Sequence, residues 1–201
     1  MNKGQDLFLP FLVTMGGEST IIHMEFTMTT GPLSAFLAIP ILSRIRRNHG
    51  LEHATIHILS KREPSRSLAG HSDAGGFWLW GDVSTEEVEG AVQDALARMR
   101  NGEAHLAVHP NCGTNYVTAG LAAGAAGAVA MFGAGPRIRQ KLERLPLAGL
   151  LATVALILAQ PLGFFIQQNV TTSGHPGELD IISVSPSQRG RLIGHRVATR
   201  G

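Results

Sequence analysis

The chain has 201 residues, 44% of them apolar and 16% charged, with 24 glycines and a mean hydropathy of +0.10. So low a charged fraction, against roughly 25% in a typical soluble protein, excludes disorder and a coiled coil. A single cysteine excludes a disulfide framework and a cysteine-built zinc finger. With 5% aromatics and a formal charge of only +2, nothing in the composition argues for a nucleic-acid partner.

In chain order, residues 1–25 offer Lys3, Asp6 and a short apolar patch, LFLPFLV, with no Ala-x-Ala-like cleavage site after it, so no signal peptide is expected. Met24 and Met28 are alternative starts. Three stretches then lack Asp, Glu, Lys and Arg: 26–43, 104–136 and 145–177. A transmembrane helix needs about 20 largely apolar residues, and Tyr116–Ala134 and Leu145–Ile166 meet that length. The 26–43 stretch contains two prolines and reads as a third span, a re-entrant piece or an interfacial helix. Gly120 and Gly124 supply the small-xxx-small spacing at which membrane helices approach closely. The competing reading of Tyr116–Ala134 is a buried helix of a soluble protein.

Residues 44–112 read as a small α+β unit. Asn48–Ser60 has helical spacing, 61–76 is polar and glycine-containing, and Phe77–Trp80 is a strand. Ser84-Thr85-Glu86-Glu87 is a capping box. It opens a helix with Val88, Val92, Leu96 and Met99 on one face, ending at Asn101-Gly102. His105–His109 alternates like a strand, and Pro110–Gly113 turns into the second span. Gln160-Pro161 predicts a kink. Trp78 and Trp80 are candidates for a membrane-interface belt, and the arginine-rich 189–200 reads as a solvated or headgroup-facing tail. The domain reading is therefore 1–43, 44–115, a hairpin over 116–166 and a basic tail over 167–201.

The chemistry concentrates in His49-Gly-Leu-Glu52-His53, which matches H-x-x-E-H. On a helix, i and i+4 share a face, so two imidazoles can bind one Zn²⁺, and a carboxylate at Glu52 can reach a metal-bound water as general base. A further ligand must come from elsewhere. His109-Pro-Asn-Cys112 presents one imidazole and the sole thiol, and Thr114 and Asn115 follow as hydrogen-bond donors. The bland alternatives are a helix start with solvated imidazoles and a Cys112 that is a small buried hydrophobe. His57 reads as a ligand or a surface residue, and His71-Ser72-Asp73 as a loop turn or an orienting group. Haem ligation is the weaker use of paired histidines, since no C-x-x-C-H is present.

HGLEHATIH followed some fifty residues later by HPNCGTN resembles the YqhQ-like bacterial membrane proteins, an uncharacterised family described as metal-dependent enzymes. Their pattern is His-Gly-Ala-Glu-His-Lys, then His-Pro-Arg-Cys-Gly-Thr leading into a span. Here Leu51, Ala54 and Asn111 depart from it, while His49, Glu52, His53, His109, Cys112, Gly113 and Thr114 match. The resemblance covers about residues 46–135 and implies a metal-binding membrane protein, of this family or of a sister family.

The expected molecule is an α-helical integral membrane protein of two or three spans with a small α+β cytosolic insertion. Its function is expected to be that of a zinc-dependent hydrolase, a peptidase using Glu52 with His49, His53, Cys112 and His109 at the metal. The alternative is a non-catalytic, metal-stapled membrane adaptor. The expected partners are the lipid bilayer, a membrane protein or peptide substrate and a second copy of the chain, with no nucleic acid. Twelve Lys and Arg against five place the middle segment and the C-terminus on the cytosolic side of a bacterial inner membrane.

Overall fold

The structure, a computed structural model, describes residues 10–15, 18–23, 31–189 and 192–201. Lys3, Asp6, Met24 and Met28, with the readings attached to them, lie outside these. The chain divides into a unit over Met1–Ala38 and a larger one over Ile39–Gly201. In the first, β1 (Pro10–Met15) pairs antiparallel with β2 (Glu18–His23), and α1 spans Pro32–Leu37.

The second unit is built on α2 (Pro40–Arg62), which begins well before Asn48 because Pro40 sits at its first turn, where its missing N–H costs nothing. Then come β3 (Ala69–Asp73), β4 (Gly76–Trp80) and α3 (Thr85–Arg100). The capping box forms as read: Ser84 Oγ accepts from the Glu87 N–H at 3.2 Å, and Glu87 accepts from the Ser84 N–H at 2.8 Å. Such a cap contributes about 1 kcal/mol. The core lies between the sheet and these two helices, with Phe77, Leu79 and Val197 from strands against Leu51, Val88, Val92 and Met99 from helices.

Two local readings are corrected. His105–His109 is not a strand: Ala104–Ala107 forms a 3-10 turn, closed by Leu106 N–H to Glu103 O at 3.2 Å. Nor is 189–200 a free basic tail. β5 (Asp180–Arg189) and β6 (Leu192–Arg200) complete an antiparallel sheet in the order β3-β4-β6-β5. In β6 the residues alternate: His195, Val197 and Thr199 are buried, while the intervening Arg196 and Arg200 are not. Trp78 and Trp80 stack on each other in β4 at 5.7 Å, with the Arg196 guanidinium 5.2 Å from the Trp78 ring.

The transmembrane reading is corrected as well. The chain is an α+β fold, and among the described residues no single helix is long and apolar enough to cross a membrane. α4 (Gly113–Met131) is helical where a span was expected, but alanine and glycine make it only weakly apolar. α5 (Ile138–Leu158) begins with Arg139, Lys141, Glu143 and Arg144, so its apolar part starts only at Leu145. The 145–166 run is then broken, with α6 (Gln160–Ile166) resuming at a 45° bend; only α5 and the following helical segment together pass the length and composition of a span. Gln160-Pro161 sits at that bend, as expected, because proline lacks the N–H that would continue the ladder. Within the described part of the 26–43 stretch, α1 ends at Leu37 and α2 begins at Pro40, so it is not a single continuous span. The α4–α5 hairpin leaves a broad apolar surface outward, including Leu121, Val129, Phe132, Leu150 and Leu158.

Candidate metal centre

α2 carries His49 and His53 one turn apart on one face, their rings edge to face at 4.4 Å. Each ring is oriented by a backbone carbonyl from elsewhere in the chain. His49 Nδ1 donates to Thr171 O at 2.9 Å, and His53 Nδ1 donates to Ala107 O at 2.8 Å. A carbonyl only accepts, so both Nδ1 atoms carry the proton and both Nε2 lone pairs are left for a metal. This is the usual second contact of a ligating imidazole.

Cys112 caps the N-terminus of α4, with its sulfur 3.6 Å from His49 Nε2. Burial pushes the thiol up, but hydrogen bonds to His53 and Thr114 outweigh it, and the thiol lies below its ordinary value. One ligand atom from each of His49, His53 and Cys112 lies within 4.8 Å of the others. About 3.4 Å separates ligands in a tetrahedral zinc site with bonds of about 2.0–2.3 Å, so modest closure suffices. The two motifs, read as separate in sequence, meet in space, and their donor set could hold a metal ion.

Glu52 is 4% exposed. Burial pushes its carboxyl up to about 7; proximity to Cys112 adds to this, while His49 and Ser72 oppose it. Among the described residues, its Oε2 is buried without a hydrogen-bond partner. β3 passes directly over the carboxylate: a Cβ on Gly70 would come within 2.2 Å of Glu52 Oε1. Gly50, inside the motif, has a similar role, because a Cβ there would sit 2.2 Å from Ser173 O and push away the segment that orients His49.

His109 lies beside the cluster rather than in it. Its ring stands 5.7 Å from that of His53 and 4.7 Å from that of His57, and burial lowers its pKa. Its Nδ1 accepts from the Asn111 N–H at 3.2 Å. His57 Nε2 donates to Val108 O at 2.8 Å, so it braces the chain leading to His109. Thr114 and Asn115 are engaged in structure: the Thr114 hydroxyl pairs with that of Thr171 at 3.0 Å, and Asn115 Nδ2 donates to the carbonyls of His109 and Pro110. Asp73 binds Arg196 in a two-pronged ion pair at 2.8 and 2.9 Å, whereas Ser72 reaches Glu52.

Gln167 escaped the sequence reading. It opens a π-helical turn, Gln167–Thr171, and is fully buried. Its amide accepts from the His109 N–H and donates to His109 O and Asn115 Oδ1, both at 3.1 Å. The far end of the same turn supplies Thr171 O to His49, and Arg46 holds its exit through Asn169 O and Thr172 O. One irregular turn therefore steadies both halves of the centre, a frequent use of π-helical geometry. The signal available in sequence was a run of amides, Gln167-Gln168-Asn169, closing an apolar stretch.

Residues 44–184 match the model of a domain of unknown function, DUF6391. An uncharacterized protein of Picosynechococcus sp. is 36% identical over 143 residues, covering 64% of this chain and 66% of that relative. The chain thus spans slightly less than two thirds of that relative's length. No solved structure matches. Nothing here ties the chain to the YqhQ-like proteins, and the paired histidine and cysteine motifs fall within the matched segment. The chain belongs to the DUF6391 family.

Proposed function

We propose that the protein is a zinc-dependent hydrolase. The observation that carries this reading is a buried carboxylate with an unpartnered oxygen beside a three-residue cluster of soft and borderline ligands. His49, His53 and Cys112 would hold the zinc ion, which would supply Lewis acidity to a bound water and to the substrate carbonyl. Glu52 takes a proton from the attacking water as its oxygen bonds to the carbonyl carbon, then delivers that proton to the leaving group. His109, beside the cluster, accepts from the Asn111 N–H at Nδ1 and so presents an Nε2–H that stabilises the developing oxyanion.

The test is Glu52→Gln. Turnover should fall by at least about a hundredfold, the usual range for a lost general base, while zinc measured by atomic absorption stays near one per chain. His53→Ala should lose the metal. Loss of zinc in Glu52→Gln would make Glu52 a ligand and favour the metal-stapled, non-catalytic protein. Full zinc with undiminished cellular function would exclude this mechanism outright.

A further inference from the structure

The centre lies in a cleft of about 470 Å³ whose floor is one stripe of α2. Around the helix axis, at about 100° per residue, Asn48 and Glu52 face β3: Asn48 donates to Asp73 O, and Glu52 abuts Gly70. His53 and His57 face the other way, bonded to Ala107 O and Val108 O. His49, Ile56 and Ser60 fall between these two directions and line the cleft. The floor is therefore a trough, walled by β3 on one side and by the 107–113 turn on the other. From His49 to Ser60 it runs roughly 16 Å, at 1.5 Å per helical residue.

The β3 wall has a further property. Among the described strands, β3 is an edge, paired only with β4. Among the described residues no strand covers its outer edge, and its first three residues are exposed. Edges are ordinarily protected by lysine, proline or a covering element; Ala69–Asp73 contains neither residue, and Gly70 is the one that touches Glu52. The nearby Arg66 is already paired with Glu87 at 2.7 Å, which argues against an anionic ligand. What remains on that wall is peptide backbone, whose natural complement is another extended backbone.

We propose that the cleft binds an extended polypeptide segment as an added strand on β3, laying one of its peptide bonds over the His49–His53–Cys112 centre. At about 3.3 Å per residue, the trough admits roughly five residues. Recognition is mainly through main-chain hydrogen bonds, so the ligand is defined by its extended form more than by its side chains. This assigns the substrate class of the hydrolase proposed above and rests on that reading.

The experiment uses the full-length, zinc-free protein, so that binding is read apart from turnover. The probe is a fluorescein-labelled mixture of random acetylated hexapeptide amides, with the same mixture N-methylated at every peptide nitrogen as control. Anisotropy should show saturable binding that weakens at least tenfold on N-methylation. Hydrogen exchange should slow at least tenfold for outward amides within residues 67–72 when the unmethylated probe is bound. Equal binding of the methylated probe, unchanged exchange in 67–72 at saturation, or no binding would each overturn the proposal. Binding as expected, but no cleavage by the zinc-loaded chain, would instead overturn the hydrolase reading and leave strand docking standing.

Discussion

Glu52 carries a cost in the metal-free protein that a neighbouring cation relieves. Its folded carboxyl titrates near 7, above the ordinary 4.5, because burial disfavours the charged form. The folded state therefore holds this proton more tightly than the unfolded chain does. The contribution to stability is complete below about pH 4.5 and is lost as pH rises through 7. Metal-free wild type should lose on the order of 3 kcal/mol across that window relative to Glu52→Gln, at about 1.4 kcal/mol per pKa unit. Urea unfolding at pH 4.5, 6 and 7.5 measures the difference, and parallel curves for the two proteins would show that Glu52 stays ionised. Gly70→Ala tests the same carboxylate from the other side. Its added methyl would overlap Glu52 Oε1, so displacement of that side chain should cost about 1–3 kcal/mol.

At the scale of elements, the π-helical turn is the part that joins the two motifs. Gln167→Leu keeps the volume but removes three hydrogen bonds to the His109 and Asn115 region. Zinc affinity should fall 10–100-fold, the range seen when the outer contacts of a metal site are lost. Competition with a chromophoric chelator reads this directly, and unchanged affinity would mean that the turn is held without it. The α4–α5 hairpin answers differently. Leu121 is 71% exposed, so Leu121→Lys should change folding stability by less than about 0.5 kcal/mol. The same change should reduce retention on a phenyl resin, and a larger loss of stability would mean that the hairpin face is packed.

For the whole molecule, ligands drawn from α2 and from the start of α4 make metal binding a folding reaction. Ala104–Ala107, the 109–112 turn and the π-helical turn must all be in place before His49, His53 and Cys112 converge. Zinc at a hundredfold excess over its dissociation constant should stabilise the native state by about 2.7 kcal/mol. Thermal unfolding with zinc and with a chelator checks this. The shift should vanish in His53→Ala, and a shift that survives that change would place the ion elsewhere. The elements legible in advance were those whose own residues decide them: α3 from its capping box and apolar face, β4 from its apolar run, and the bend at Gln160-Pro161 from the missing N–H. The H-x-x-E-H spacing likewise determined by itself that His49 and His53 share a face, because helix geometry is local. Three things were decided only by tertiary structure. β6 pairs its buried His195 and Thr199 in a sheet, so polar inward residues concealed a period-two strand. The 105–109 segment turns where its alternation suggested a strand, because the Ala107 and Val108 carbonyls are taken by His53 and His57 of α2. Gln167 and Gly70 matter because of partners 58 and 18 positions away in sequence, and local pattern carries no information about which distant segment will come to rest against a side chain.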